Sequence, residues 1–104
     1  MRQVTAQIKK AYEQGTSLKV GNTRTDGTSV FLHGNEIIKR DASGLVMATL
    51  AGWNTPTTRE RVNGITGLGI YQKNFAPMLN GQEIDPYDWV AVTEEKEEDA
   101  LCLS

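Results

Sequence analysis

Apolar residues at Val4, Ile8, Ala11 and Tyr12 recur at the i, i+4, i+7, i+8 spacing that lines one side of a helix, so a helix is expected over Val4 to Gln14. Gly15 supplies its stop, and Arg2, Lys9, Lys10 and Glu13 fall on the water side. Leu18 to Thr25 is short and mixed, the pattern of an edge strand carrying Leu18 and Val20, and Asp26-Gly27 then turns the chain. Ser29 to His33 and Glu36 to Arg40 are β-rich runs joined by Gly34-Asn35, both tolerant of the positive φ that tight hairpin turns demand. That turn sets His33 opposite Glu36, Leu32 opposite Ile37 and Phe31 opposite Ile38. Apolar residues then lie on both faces near the turn, which implies a sheet covered on both sides there.

After the turn Asp41-Ala42-Ser43-Gly44, the continuous apolar run Leu45 to Leu50 has the length of a buried strand and is expected at the centre of the sheet. Ala51-Gly52-Trp53 breaks it. A short helix follows, and two registers fit its start: Thr57 with Glu60 as a capping box, or Thr55 as cap with Pro56 at the first helical position. The helix runs to about Asn63 or Ile65, buries Val62 and Ile65, and stops at Gly64 or Gly67. Leu68 to Gln72 and Phe75 to Leu79 form a further hairpin around Lys73-Asn74, with Pro77 demanding an edge position or a bulge. Asn80-Gly81 is the strongest hairpin turn in the chain, Asp85-Pro86-Tyr87-Asp88 bends again, and Trp89 to Val92 is a final strand. The expected fold is α+β: an N-terminal helix on an antiparallel sheet of five or six hairpin-connected strands, with one short helix after the central strand.

Composition adds a compartment and an asymmetry. The 104 residues are enough for one domain with a modest core, expected over 1–92, and 93–104 is expected as a flexible acidic tail. A terminal helical turn docking Leu101 and Leu103 is the alternative for that tail. No apolar run approaches the roughly 20 residues needed to span a bilayer, and no signal-peptide core opens the chain. The single cysteine, Cys102, cannot form an intramolecular disulfide, and a cytoplasmic setting is expected. Residues 1–80 hold ten Lys/Arg against five Asp/Glu, whereas 81–104 hold one against eight. The net charge of -2 therefore conceals a basic body and an acidic end, readable as a solvated tail or as a basic surface for an anionic partner.

Catalytic patterns are missing. His33 is the only histidine, stands beside a hairpin turn and has no neighbouring Ser or Cys motif, and one His with one Cys cannot build a structural zinc site. Glu83, Asp85 and Asp88 lack the ligand spacing of a calcium loop, and Gly64-Ile65-Thr66-Gly67-Leu68-Gly69 lacks the lysine of a phosphate loop. Neither an enzyme nor a cofactor is expected. Trp53, Arg59, Arg61, Lys39, Arg40 and Lys73 remain, aromatic and basic groups of the kind that stack on bases and contact phosphates. Arg59 and Arg61 are expected on the solvent side, yet two positions apart on a helix they point about 200° from each other, so one serves a ligand more readily than both. Trp53 is either presented there or buried against the short helix.

The stretches Thr28 to Ile38, Ala51 to Asn63, Ile70 to Phe75 and Leu79 to Gly81 together resemble a group of small tailed-bacteriophage and prophage proteins of unknown function. Their shared pattern is a Leu-His-Gly-Asn hairpin, Ala-Gly-Trp followed by Thr-Thr-Arg/Lys-x-Arg-Val/Leu-Asn, and a late Leu-Asn-Gly turn. The chain departs from that pattern at Ala76-Pro77-Met78, where aromatic residues are usual, and in its acidic end. The resemblance implies a non-enzymatic phage accessory protein that binds a host protein or protein complex and inhibits it, for example in an anti-defence or anti-CRISPR role. A nucleic-acid binder using the basic body and Trp53 is the alternative, and the residues leave oligomeric state open.

Overall fold

A computed structural model describes residues 2–92 of the chain. Helix α1 (Gln3–Gln14) opens the fold and ends on Gly15, whose left-handed backbone (φ 73°) lets its N–H reach the Ala11 and Tyr12 carbonyls. Strands β1 (Leu18–Val20), β2 (Thr23–Thr25), β3 (Ser29–Leu32), β4 (Asn35–Arg40) and β5 (Val46–Ala48) follow. Then come helix α2 (Pro56–Thr66), a small meander β6 (Tyr71–Lys73), β7 (Ala76–Leu79) and β8 (Gln82–Glu83), and finally β9 (Val90–Val92). The first five strands and β9 form one antiparallel sheet in the order β1-β2-β3-β4-β5-β9, and β6-β7-β8 form a second. The α+β expectation holds, with this separate meander as an addition.

Register explains the core. In one set of rows Leu18, Thr25, Val30, Ile38, Ala48 and Val90 stand side by side across the strands, and Thr23 and Leu32 pair beside them. The buried members of this face join Ile8 and Tyr12 of α1 and Val62 and Ile65 of α2 in one apolar cluster. Each fully buried aliphatic side chain there contributes about 1.5–3 kcal/mol relative to exposure. Both helices therefore lie on one face of the sheet, and the other face is open. The expected cover on both sides is corrected by a bulge: Phe31 pairs with Glu36 but Val30 pairs with Ile38, so Ile37 is the extra residue. It turns to the same side as Ile38, which is how two consecutive isoleucines are both buried.

Other boundaries differ from expectation for local reasons. Residues 18–25 make two strands, because Gly21 at φ 62° turns the chain within them. The β3–β4 turn is His33-Gly34 (φ 53° and 82°), one residue earlier than Gly34-Asn35, and the β6–β7 turn is Asn74-Phe75, one residue later than Lys73-Asn74. The apolar run 45–50 yields only the three-residue β5, one strand in from the edge. The middle of the sheet is β3 and β4, and α2 follows these central strands. Strand β6 begins only at Tyr71, and Pro77 sits in the middle strand of its meander rather than at an edge. Its carbonyl still accepts from the Ile84 N–H at 2.9 Å, while its pairing with Gln72, next to the pair that closes the turn, asks no N–H of it. Of the two registers for α2 the structure has Thr55 as cap, its hydroxyl accepting from the Thr58 N–H at 3.2 Å, with Pro56 first in the helix and Gly67 ending it.

The turns at Asp26, Asp41 and Asp85 are held by carboxylates bonding to their own following backbone. The N–H groups of Ser29 and Thr28 draw the Asp26 pKa below its ordinary value, and the Ser43 hydroxyl and the Leu45 N–H do the same for Asp41. The expected acidic tail, and Cys102 within it, lie outside the described residues.

Candidate functional site

Helix α2 carries its residues on two working faces. Thr58, Arg61, Val62 and Ile65 are buried, and Arg59 and Asn63 face the meander. Arg61 is 4% exposed. Its Nε donates to the Thr23 hydroxyl at 3.0 Å, and its Nη1 donates to the Thr5 hydroxyl at 3.0 Å and to the Glu60 carboxylate. The Thr5 hydroxyl in turn donates to Glu60 at 2.6 Å, and the Arg2 backbone N–H reaches the same carboxylate at 3.3 Å. Burial pushes the Glu60 pKa up, but the bonds from Thr5, Arg2 and Arg61 outweigh it and hold the carboxyl below its ordinary value. The expectation that Arg61 faces solvent is corrected here: it is a strut between α1, β2 and α2. Glu60 accordingly serves this cluster rather than a capping box.

The other face of α2 meets the loop before it and the meander. Arg59 donates to the side-chain Oδ1 of Asn54 and, at 3.1 Å, to the side-chain Oε1 of Gln72. Asn54 Nδ2 reaches the Phe75 carbonyl at 3.5 Å, and the Asn63 side chain grips the Ile70 backbone at both ends, 2.8 Å and 2.9 Å. The loop before α2 and the β6–β7 hairpin are thereby tied to one helix. Arg59 meets neutral amides, so its charge is not cancelled by any carboxylate among the described residues.

This tie presents aromatic side chains. Trp53 is 57% exposed, not buried against α2, and Phe75 at the hairpin tip is 90% exposed. Phe75 holds φ 66° and Asn74 φ 53°, the paired left-handed conformation of a tight hairpin turn in which glycine or asparagine is usual. A bulky side chain there is costly, roughly 1–2 kcal/mol, and the exposed ring recovers none of it by packing. Tyr71 and Lys73 of the same hairpin are exposed as well. Beside Trp53 the backbone turns through Ala51 and Gly52, and Gly52 lies so close to the exposed Tyr87 ring that a Cβ would come within 2.5 Å of it. Trp53 also walls a cleft of about 530 Å³ together with Leu32, Ile37, Leu50, His33 and Thr57.

The remaining basic residues are dispersed. The Arg40 guanidinium lies 4.3 Å over the Tyr12 ring and donates to the Gly27 carbonyl at 3.0 Å, and Lys39 lies 4.2 Å over the Trp89 ring on the open sheet face. Burial raises the Tyr12 pKa, with Arg40 opposing the rise. Of the six residues singled out by type, Trp53 and Arg59 stand at the corner that Asn54 and Gln72 tie to the hairpin bearing Lys73, and Lys39, Arg40 and Arg61 lie elsewhere. Phe75 and Tyr71 are the members missed. Only a turn registered one residue later, at Asn74-Phe75, would have marked Phe75 as a projecting tip. His33, at the β3–β4 turn, has Nε2 3.4 Å from Asn22 Nδ2. No group of three His, Cys, Asp or Glu side chains able to hold a metal ion occurs among the described residues, and no helix there is long and apolar enough to cross a membrane.

Fold and surface together define a small α+β protein whose distinguishing chemistry is a set of projecting aromatic side chains on a cationic support. The chain belongs to the phage protein family described as Kyanoviridae Gp96 protein, which it matches over residues 1–96. The expectation of a bacteriophage protein therefore holds. No curated protein and no solved structure matches the chain.

Proposed function

We propose that this phage protein is a non-enzymatic accessory protein that binds a host protein through the end of the molecule carrying Trp53, Tyr71 and Phe75. By occupying a host protein complex in the bacterial cytoplasm it inhibits that complex, an anti-defence role of which inhibition of a CRISPR effector is one form. The single observation that carries this reading is Phe75, whose ring projects 90% exposed from a left-handed backbone with no packing gain to offset the strain. Exposed aromatic rings flanked by arginine are the usual anchors of protein interfaces, each able to supply 2 kcal/mol or more of binding energy on burial, roughly. Lys73 and the uncancelled charge of Arg59 favour a partner pocket with a carboxylate at its rim.

The nucleic-acid alternative centred on Trp53 has less support, since Arg61 is buried and Arg40 is engaged on Tyr12. The test is affinity capture from host lysate with tagged wild type, Phe75→Ala and Trp53→Ala, folding of each being checked by circular dichroism. Wild type is expected to retain a defined host complex at near-stoichiometric amounts, with each variant weakening retention at least tenfold. Equal retention by all three proteins would remove this surface from the function.

A further inference from the structure

We propose that the open face of the six-stranded sheet binds single-stranded nucleic acid, with Phe31 as a stacking platform and Lys19, Arg24 and Lys39 as phosphate contacts. This inference uses none of the residues assigned to the partner-binding end and stands independently of it.

Strand register puts the pieces together. Lys19, Arg24, Phe31 and Glu36 pair side by side across β1, β2, β3 and β4, and Ser29, Lys39, Met47 and Ala91 pair across β3, β4, β5 and β9. Both rows lie on the face opposite the helices, because they alternate with the buried rows. The face thus carries three cations against one carboxylate, and Glu36 is occupied by the Ser29 hydroxyl at 2.6 Å. This excess stands on a molecule whose net charge is -2, so it is a local field of the sign a polyanion requires.

Aromatic groups stand among these cations. The Arg24 guanidinium lies 4.0 Å from the Phe31 ring centroid and Lys39 Nζ 4.2 Å from that of Trp89. A base can stack on the outer plane of the Arg24 guanidinium that covers the Phe31 ring, or displace the guanidinium and take the ring face itself, and both modes are independent of base identity. A hollow of about 330 Å³ opens at this place, lined by Lys19, Asn22, Arg24, Phe31 and His33, so the ring is reachable from solvent. From β3 to β9 is three strand spacings, about 14 Å, which places Trp89 beyond the base on Phe31 and gives a strand of several nucleotides a second ring. Duplex DNA hides its base faces in the stack and gains nothing from these rings. That separates a stacking surface from a merely basic one.

The experiment is fluorescence anisotropy with labelled oligothymidylate and oligouridylate of about 15 nucleotides, a duplex of equal length, and heparin as competitor. Saturable binding of at least one single strand is expected at low salt, tighter than of the duplex. Affinity should fall on the order of tenfold between about 50 and 200 mM salt, as release of counterions from three phosphate contacts implies. Phe31→Leu, which keeps an apolar side chain but removes the ring, should weaken binding roughly tenfold. Arg24→Gln, at an exposed position, should weaken it and flatten the salt dependence. Circular dichroism and melting of both variants show that the sheet is intact. No anisotropy change up to about 100 µM protein, the weak limit of charge-only binding, would overturn the proposal. So would equal or tighter binding of the duplex, or affinity unchanged in Phe31→Leu. Preference between the thymidylate and the uridylate tells whether DNA or RNA is the better ligand, and either result supports the face as a single-strand site.

Discussion

Arg59 and Arg61 stand two residues apart on one helix and do opposite work. Arg61 points to the α1 side, is enclosed, and bonds Thr5, Thr23 and Glu60. Arg59 points to the meander side, stays half-buried, and bonds only the amides of Asn54 and Gln72. The rotation of about 200° between them carries one guanidinium into the core seam and the other to the rim of a surface. Residue type alone therefore says little. The partner's type decides: a carboxylate and two hydroxyls hold Arg61 as structure, whereas neutral amides let Arg59 shape a loop while keeping its charge available.

The largest effect should come from breaking the enclosed side. Arg61→Met is expected to cost about 3 kcal/mol, because it leaves Glu60 half-buried without its cation and two buried hydroxyls short of a donor. Urea unfolding followed by circular dichroism measures it. Arg59→Met in the same assay should cost about 1 kcal/mol or less. Equal losses would erase the distinction between the two sides.

Acid should attack the same enclosed cluster. The Glu60 carboxyl is held below its ordinary value of 4.5 in the folded protein. The unfolded chain then binds more protons than the native state as pH drops past that value. The stabilisation is complete above pH 4.5 and is lost as pH falls through the native pKa. Glu60→Gln should therefore lower stability at neutral pH and flatten its decline below pH 4.5, as read by melting temperature against pH. A variant as steep as wild type would mean that Asp26 and Asp41, also held low by their turns, carry the acid response.

What the chain alone reveals follows the same division. Elements governed by near neighbours were legible: α1 with Gly15 as its stop, the Asp26 and Asp41 turns, Asn80-Gly81, and α2 with its Thr55–Pro56 start among the two registers allowed. The two misplaced turns share one cause. A tight hairpin takes two residues at positive φ, and the rule favouring Gly-Asn does not foresee His33 or Phe75 in such a turn. The bulge at Ile37 was hidden as well, since it is a relation between strands. Arg61 was illegible for a longer-range reason: its hydroxyl partners Thr23 and Thr5 lie 38 and 56 residues away, and periodicity shows a polar residue without showing what awaits it. Trp53 was recognised as a candidate from its type, but its loop is held partly by a bond from the Gly52 N–H to the distant Pro86 carbonyl, which periodicity does not show.

On the surface side, Arg59→Ala should loosen the hairpin while sparing the fold. Amide hydrogen exchange at Tyr71, Lys73 and Ala76, whose N–H groups the hairpin pairs, is expected to quicken, with exchange in β3 and β4 unchanged and global stability lower by about 1 kcal/mol or less. If the exchange is unaltered, the Asn63 grip on Ile70 suffices to hold the meander and Arg59 is spare.

The smallest effect has the most informative sign. Phe75→Gly relieves a left-handed strain of roughly 1–2 kcal/mol but adds about 0.5–1 kcal/mol of backbone freedom to the unfolded chain, so a net gain of about 0.5 kcal/mol is expected. The ring, 90% exposed, takes almost no packing with it. Differential scanning calorimetry should show a melting temperature a few degrees higher. A fall would mean that the ring packs on its own hairpin and that the strain is repaid locally, which would put Phe75 on the structural side with Arg61. A rise combined with loss of the captured host complex would place it with Arg59, as a residue kept against its backbone preference for what its ring meets outside the chain.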